Sequence, residues 1–263
     1  MRKLTMSGLF DLTGKTALIT GSSKGIGKAI ATEMARQGAQ VVISSRKEDA
    51  CQAVADEINA ELEGQPGGAI VIAAHIGHKE ELQRLVDETR AKLGKIDILV
   101  CNAAVNPYYG PMKDMPDSAF DKILSVNIQS NHWLMHMVLP EMVERRDGSI
   151  IIVSSIGGLR GNEVIGAYCI SKAADLQMVR NLSCEYGPHN VRVNAISPGL
   201  VRTDFARALW ENPEILDKRT QFDPLRRIGE PREIAGAAVY LASDAGSFTT
   251  GQNIVVDGGA TIS

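Results

Sequence analysis

No window of the chain approaches eighteen uninterrupted apolar residues, which excludes a conventional membrane-spanning helix. Cysteine is scarce: Cys51, Cys101, Cys169 and Cys184 are the only four, and none lies in a C-x-x-C or Cys/His cluster. That spacing argues against a zinc site or a disulfide framework, so no metal is expected and the thiols read as reduced. A large charge excess is lacking too. Lys and Arg total 28, Asp and Glu 31, for a formal net charge of −3. Nothing in that balance draws the chain to nucleic acid or to an anionic membrane. The basic opening "MRKLTMSGLF" is not followed by the apolar core of a secretory leader, and the final "TIS" is not a Ser-Lys-Leu address. The expectation is a soluble, cytoplasmic protein. No repeat, low-complexity tract or shift in composition divides the chain, so residues 1–263 are expected to form a single domain.

What is present is a regular alternation. Short runs rich in Val, Ile and Ala recur at 16–20, 40–44, 69–74, 96–101, 149–154, 191–197 and 253–256. They show no polar/apolar alternation, as expected of strands covered on both faces. Amphipathic segments such as 27–38 and 79–94 fall between them, the second closing on Lys92 and Gly94. Seven strands with intervening helices predict an α/β fold: a doubly wound Rossmann domain, its seven-stranded parallel sheet flanked by helices on both faces. The irregular stretch at about 199–230 follows the sixth strand, where open α/β sheets bind ligands, and about 203–224 is expected to act as a substrate lid.

The first strand runs into "TGSSKGIGKAI", with Gly21, Gly25 and Gly27 in the pattern G-x-x-x-G-x-G. Glycines at a strand-to-helix turn let the backbone approach a pyrophosphate, and the helix N-terminus offers unpaired N–H groups. This context predicts dinucleotide binding by Gly21, Ser23, Lys24, Gly25, Ile26 and Gly27. The second strand ends in "ISSRKED", without the acidic residue that would hold a ribose 2′-hydroxyl. Ser44 and Ser45 stand there instead, then Arg46, whose guanidinium grips phosphate bidentately, with Lys24 as a further cation. The bland alternative is that Arg46 and Lys47 open a solvated helix. The expected cofactor is NADP(H).

A tyrosine and a lysine lie four residues apart in "GAYCISKAAD", so Tyr168 and Lys172 share one helical face. Such a pair is common by chance, and its context carries the meaning. Ser155 follows the fifth strand, and Asn127 falls in what reads as the middle of a long helix, where Asn is unfavourable unless its side chain has a task. The ordered set "TGSSKGIG", "CNAA", Asn127, Ser155, "YCISK" and "SPGLVRTD" resembles the short-chain dehydrogenase/reductase family over about residues 12–258. Within it, "SSRKE", "NAAVNPYYG" and "SPGLVRTDFARALW" are similar to the NADPH-dependent carbonyl and retinal reductase branch.

The resemblance implies roles. Tyr168 would be the general acid for a carbonyl oxygen, with Lys172 lowering its pKa from about 10 and binding the nicotinamide ribose. Ser155 would hold the substrate oxygen, and Asn127 would position a water linking Lys172 to solvent. Asn102, Ala103 and Ala104 would line the adenosine side. Pro198, Gly199 and Val201 would meet the nicotinamide, and Thr203 would cap the next segment. The family often has Asp near the end of the third strand to hold the adenine amino group. This chain has His75, whose neutral imidazole would accept that bond, with the Ile76 backbone sharing the load.

The loop 105–112 and the lid offer Tyr108, Tyr109, Phe205, Leu209 and Trp210 as an apolar wall. The small-molecule substrates expected are ketones, α-dicarbonyls or retinal-like aldehydes. Reduction of a 3-oxoacyl group on an acyl carrier, or sugar-acid oxidation, remains the alternative, with Arg202 and Arg207 as anion partners. A cofactor sensor without turnover is a third reading, opposed by the intact catalytic set. The resemblance also implies a homotetramer, assembled through 117–143, 166–187 and the "GQNIVVDGG" end.

Overall fold

The structure, a computed structural model, describes residues 8–263. The basic opening with Arg2 and Lys3 lies outside the described residues. The seven strands are β1 (Thr16–Thr20), β2 (Gln40–Ser44), β3 (Gly68–Val71), β4 (Ile98–Cys101), β5 (Gly148–Val153), β6 (Val191–Pro198) and β7 (Asn253–Val256). They form one parallel sheet in the order β3-β2-β1-β4-β5-β6-β7. The order reverses between β1 and β4, and ligand clefts open outside the carboxyl ends of strands at such a reversal.

The helices sort to two faces. α1 (Gly25–Arg36) buries Gly27, Ile30, Ala31, Met34 and Ala35, one stripe of helical period. With α2 (Glu48–Glu61) and α8 (Pro231–Ala242) it packs on one side of the sheet. α3 (Lys79–Leu93), α5 (Ser130–Arg145) and α6 (Gly166–Tyr186) cover the other. α3 carries Glu80 and Glu81 in its first turn and Arg90 and Lys92 in its last, which suits the helix dipole, and ends at Gly94 with φ 82°. Leu18, Ile19, Val42 and Ile150 are fully buried. Each such side chain contributes about 1.5–3 kcal/mol through burial.

Three expectations are revised. The third strand is shorter than 69–74, although the amides of Ile72 and Ala74 still bond to Ile43 and Ser45. The long helix around Asn127 is broken into α4 (Asp117–Ile123), a π-helical turn over Leu124–Gln129, and α5. Ser130 Oγ and Asn131 Nδ2 bond back to the carbonyls of Val126 and Asn127, competing with the helical ladder and widening it. Finally, the region after β6 is not irregular throughout: it holds a 3-10 segment, Asp204–Leu209, and α7 (Pro213–Thr220).

Candidate active site

One cleft of about 1070 Å³ runs along the carboxyl ends of the strands. Every cofactor and catalytic residue expected from the sequence lines it except Gly27, Ser44 and Asn127. At its floor, Gly21 (φ 66°) and Gly25 (φ 58°) adopt the left-handed backbone that glycine allows. A Cβ on Gly27 would run into the Gly21 carbonyl and sit 2.5 Å from Asn102 Nδ2. Asn102 clamps the two loops from the other side, its amide donating to the Thr20 and Gly21 carbonyls at 2.9 and 3.2 Å. The N-cap of α1 is Lys24, which makes no side-chain cap, so the first amides of the helix are left for a ligand. Bare backbone, a helix N-terminus and no space for a side chain fit a dinucleotide pyrophosphate.

The adenosine end departs from expectation at three residues. Ser44 is buried and its amide bonds to Ser22 Oγ, so its hydroxyl does not reach the cleft; Ser45 and Arg46 do. Lys24 pairs with Asp204 at 3.2 Å, tying the glycine loop to the segment after β6. His75 lies beyond the end of β3. Burial, with His78, Lys122 and Arg46 nearby, holds its pKa below the ordinary value, so it is neutral near pH 7. Its Nδ1 accepts the Gly77 amide at 3.1 Å, which places the ring proton on Nε2. His75 therefore presents a donor and cannot accept an adenine amino group through that nitrogen.

The chemical end is built on β5 and α6. Ser155 caps the short turn after β5, accepting the Gly157 amide at 3.0 Å, and its hydroxyl stands on the Tyr168 side, where it favours the phenolate. One helical turn on, Lys172 Nζ stands 5.7 Å from the Tyr168 ring centre. Ser154 Oγ donates to the Lys172 carbonyl at 2.8 Å and pins the helix to the strand. Burial pushes the Tyr168 phenol above its ordinary value, and the opposing Lys172 charge and Ser155 hydroxyl do not overcome it. The expected depression is thus absent from the protein alone, because desolvation of a phenolate outweighs one nearby ammonium.

Asn127 is fully buried and spans two elements. Its Oδ1 accepts the Val105 amide at 2.8 Å, and its Nδ2 donates to the Val105 carbonyl and to Ser171 Oγ, both at 3.0 Å. Both side-chain donors are used, so the amide itself fixes the loop after β4 against α6. Two buried polar residues around Lys172 went unnoticed in the sequence. Lys172 Nζ donates to the Val153 carbonyl at 2.9 Å and to Asp175 Oδ2 at 3.0 Å. Asn131 Nδ2 reaches Asp175 Oδ1 at 3.3 Å. The signal was there: Asp175 is three residues past Lys172 and Asn131 four past Asn127, both on-face spacings.

Over the cleft, the Phe205 ring stands 5.9 Å from that of Tyr168. Tyr109 accepts from Arg219 of α7 at 3.3 Å, joining the 105–112 loop to the opposite wall. Trp210 does not line the cleft. Its Nε1 donates to the Thr203 carbonyl at 2.8 Å and its ring stacks on Arg202. Thr203 caps the 3-10 segment through Ala206, as expected. Among the described residues no cluster of His, Cys, Asp and Glu could hold a metal ion, and no helix is long and apolar enough to cross a membrane.

A family model described as Enoyl-(Acyl carrier protein) reductase matches residues 21–261. Dehydrogenase/reductase SDR family member 4 of Bos taurus is 43% identical over 250 residues, covering 95% of this chain and 88% of that protein. A solved 7 alpha-hydroxysteroid dehydrogenase, complexed with NADH and 7-oxo glycochenodeoxycholic acid, superposes with a TM-score of 0.91 at 39% identity, over 97% of this chain and 98% of that one. A 3-oxoacyl (acyl-carrier-protein) reductase from Agrobacterium tumefaciens with NADP bound superposes with a TM-score of 0.90 at 34% identity, over 98% and 99%. Fold, cleft and relatives together define an oxidoreductase of the dinucleotide-binding α/β class. The chain belongs to the short-chain dehydrogenase/reductase family.

Proposed function

We propose that the chain is an NADP(H)-dependent carbonyl reductase with Tyr168 as its general acid. The observation that carries the reading is the Ser155–Tyr168–Lys172 cluster opening onto a cleft walled by Tyr108, Tyr109, Phe205 and Leu209. Gly21, Ser23, Gly25 and Ile26 would hold the pyrophosphate, Asn102 to Ala104 and Ile76 the adenosine, and Pro198 to Val201 the nicotinamide. When bound, that cofactor supplies the hydride. Ser155 orients the carbonyl oxygen, and Tyr168 gives that oxygen its phenolic proton as the C=O becomes an alcohol. A phenol raised by burial is protonated at neutral pH, which suits the reducing direction. Lys172 stabilises the phenolate left behind. Arg46, exposed at the rim and without an acidic neighbour on β2, supports preference for a 2′-phosphate.

The walls favour aromatic or extended ketones, α-dicarbonyls and retinal-like aldehydes. An acyl carrier is a weaker fit: Arg202 is engaged by Glu230 at 2.9 Å and Arg207 by Asp204 at 2.9 Å, so neither expected anion partner stands free. We read residues 8–263 as one domain with 203–224 as its lid, and the assembly as a cytoplasmic homotetramer. Its interfaces would be α4–α5, α6 and the β7 end. The deciding experiment follows loss of reduced nicotinamide absorbance with NADPH or NADH against these carbonyls and 3-oxoacyl thioesters, with Tyr168→Phe as control. NADPH-linked turnover of free carbonyls, abolished in the variant, is expected. Turnover of thioesters alone, or a preference for NADH, overturns the substrate or cofactor assignment.

A further inference from the structure

Lys172 is not alone in the protein interior. It is 2% exposed, and Asp175, one turn further along α6, is 0% exposed. Two of the three ammonium protons are accounted for, by the Val153 carbonyl and by Asp175 Oδ2, which leaves one for the cleft that Lys172 lines. The second carboxylate oxygen is held from α5 by Asn131, whose amide also bonds the Asn127 carbonyl at 2.8 Å. A chain of side chains thus runs from the catalytic lysine to the widened turn at Asn127. Nothing in the proton transfer assigned to Tyr168 requires a carboxylate there.

We propose that Asp175, oriented by Asn131, is a positioning residue that fixes Lys172 and sets how much positive charge Tyr168 experiences. The proposal rests on the reading of Tyr168 as the acid. Two effects follow from one carboxylate. It keeps a buried lysine ionised, and it offsets part of that lysine's field at the phenol. Burial alone would lower the Lys172 pKa, yet the Asp175 and Tyr168 charges hold it above its ordinary value. Burial raises Asp175 against the opposing Lys172 charge and the Asn131 bond. The other groups facing this pair are neutral: Cys101 of β4 and Cys169 of α6 are thiols pushed up by burial. Asp175 is therefore the negative charge that couples to the Tyr168–Lys172 pair.

The sign of the effect does not depend on how the pair shares its protons. Removing a negative charge makes every proton of the pair easier to lose, so both macroscopic steps move to lower pH. A unit charge several ångström away, in an interior of effective dielectric about 20, shifts such a step by about one pH unit. The test is the pH profile of kcat/KM for NADP⁺-linked oxidation of 1-phenylethanol, across the neutral and alkaline range. It compares the unsubstituted protein with Asp175→Asn, Asp175→Ser and Asp175→Glu, with Tyr168→Phe alongside. The neutral variants are expected to carry the rising limb about one unit lower, while Asp175→Glu keeps it near its original place. Asp175→Ser poses the same question should the isosteric variant not fold. A folded neutral variant with lowered kcat and an unmoved limb overturns the proposal and leaves Asp175 a packing residue. Near-normal rates in Tyr168→Phe overturn instead the reading beneath it.

Discussion

Lys172→Met removes one member of a buried ion pair and leaves the other without compensation. Lys172 and Asp175 are 2% and 0% exposed, their charged atoms 3.0 Å apart. Stripping the partner from a buried charge costs about 3–5 kcal/mol, whereas replacing both charges with apolar groups is close to neutral. The double variant Lys172→Met/Asp175→Leu should therefore be more stable than the single one. It will not recover fully, since the Asn131 amide loses an acceptor, at about 1 kcal/mol. The pH dependence provides a second signature. In the single variant Asp175 is buried without its cation, so its folded pKa lies above the unfolded one. The folded state then binds the extra proton, and the deficit is small in acid and grows as pH rises through the folded value. Urea unfolding at one protomer concentration measures all of this. A single variant within about 0.5 kcal/mol of the parent, or a double variant no better than the single, refutes the uncompensated-charge argument.

Tyr168→Phe keeps the ring against Phe205 and deletes only the hydroxyl proposed as proton donor. Turnover should fall by about 10²-fold or more while NADPH affinity, read by fluorescence titration, stays within a few-fold. Arg46→Ala should weaken NADPH about tenfold or more and leave NADH nearly unchanged, and equal losses would exclude Arg46 as the phosphate reader. Gly27→Ala inserts a methyl between the Gly21 carbonyl and the Asn102 amide. It should abolish cofactor binding and lower stability by about 1–3 kcal/mol in thermal unfolding. Phe205→Ala opens the wall above Tyr168 and should raise KM for aromatic ketones several-fold, with less change in kcat.

The features legible in the sequence are those set by local chemistry. Unbroken apolar runs specify doubly covered strands, glycines specify the tight turn, and a four-residue spacing places Tyr168 and Lys172 on one face of α6. What escaped depends on partners distant in the chain. The π-helical turn at Asn127 is stabilised by the Val105 backbone and Ser171, on two other elements. Ser44 turns inward because pairing with Thr20 fixes which face each β2 residue takes, and one residue of phase separates it from Ser45. The His75 tautomer is dictated by the Gly77 amide, which spacing alone does not reveal. Asp175 differs from these, since a carboxylate three residues from Lys172, the proposed catalytic lysine, could be read directly.

The two walls of the cleft are held by different kinds of interaction, and this bears on how substrate enters. Tyr168 and Lys172 sit on a helix pinned to β5 through Ser154, with the lysine anchored on the Val153 carbonyl; these bonds are buried. The proposed lid meets the rest of the cleft through the Phe205–Tyr168 ring contact and two exposed polar contacts, Lys24 with Asp204 and Arg219 with Tyr109. Exposed pairs of long side chains contribute little, because water and salt compete for both members. Breaking those two polar contacts thus costs far less than displacing Tyr168. Lys24 connects the two regions, since it belongs to the phosphate loop and yet holds the lid's first acidic residue. A phosphate drawing Lys24 toward the cofactor would release Asp204 and loosen the lid at its hinge. Asp204→Asn, which removes that competitor for Lys24, should then tighten NADPH and lower the salt dependence of KM for the carbonyl. Unchanged values for both would mean that the loop and the lid move independently.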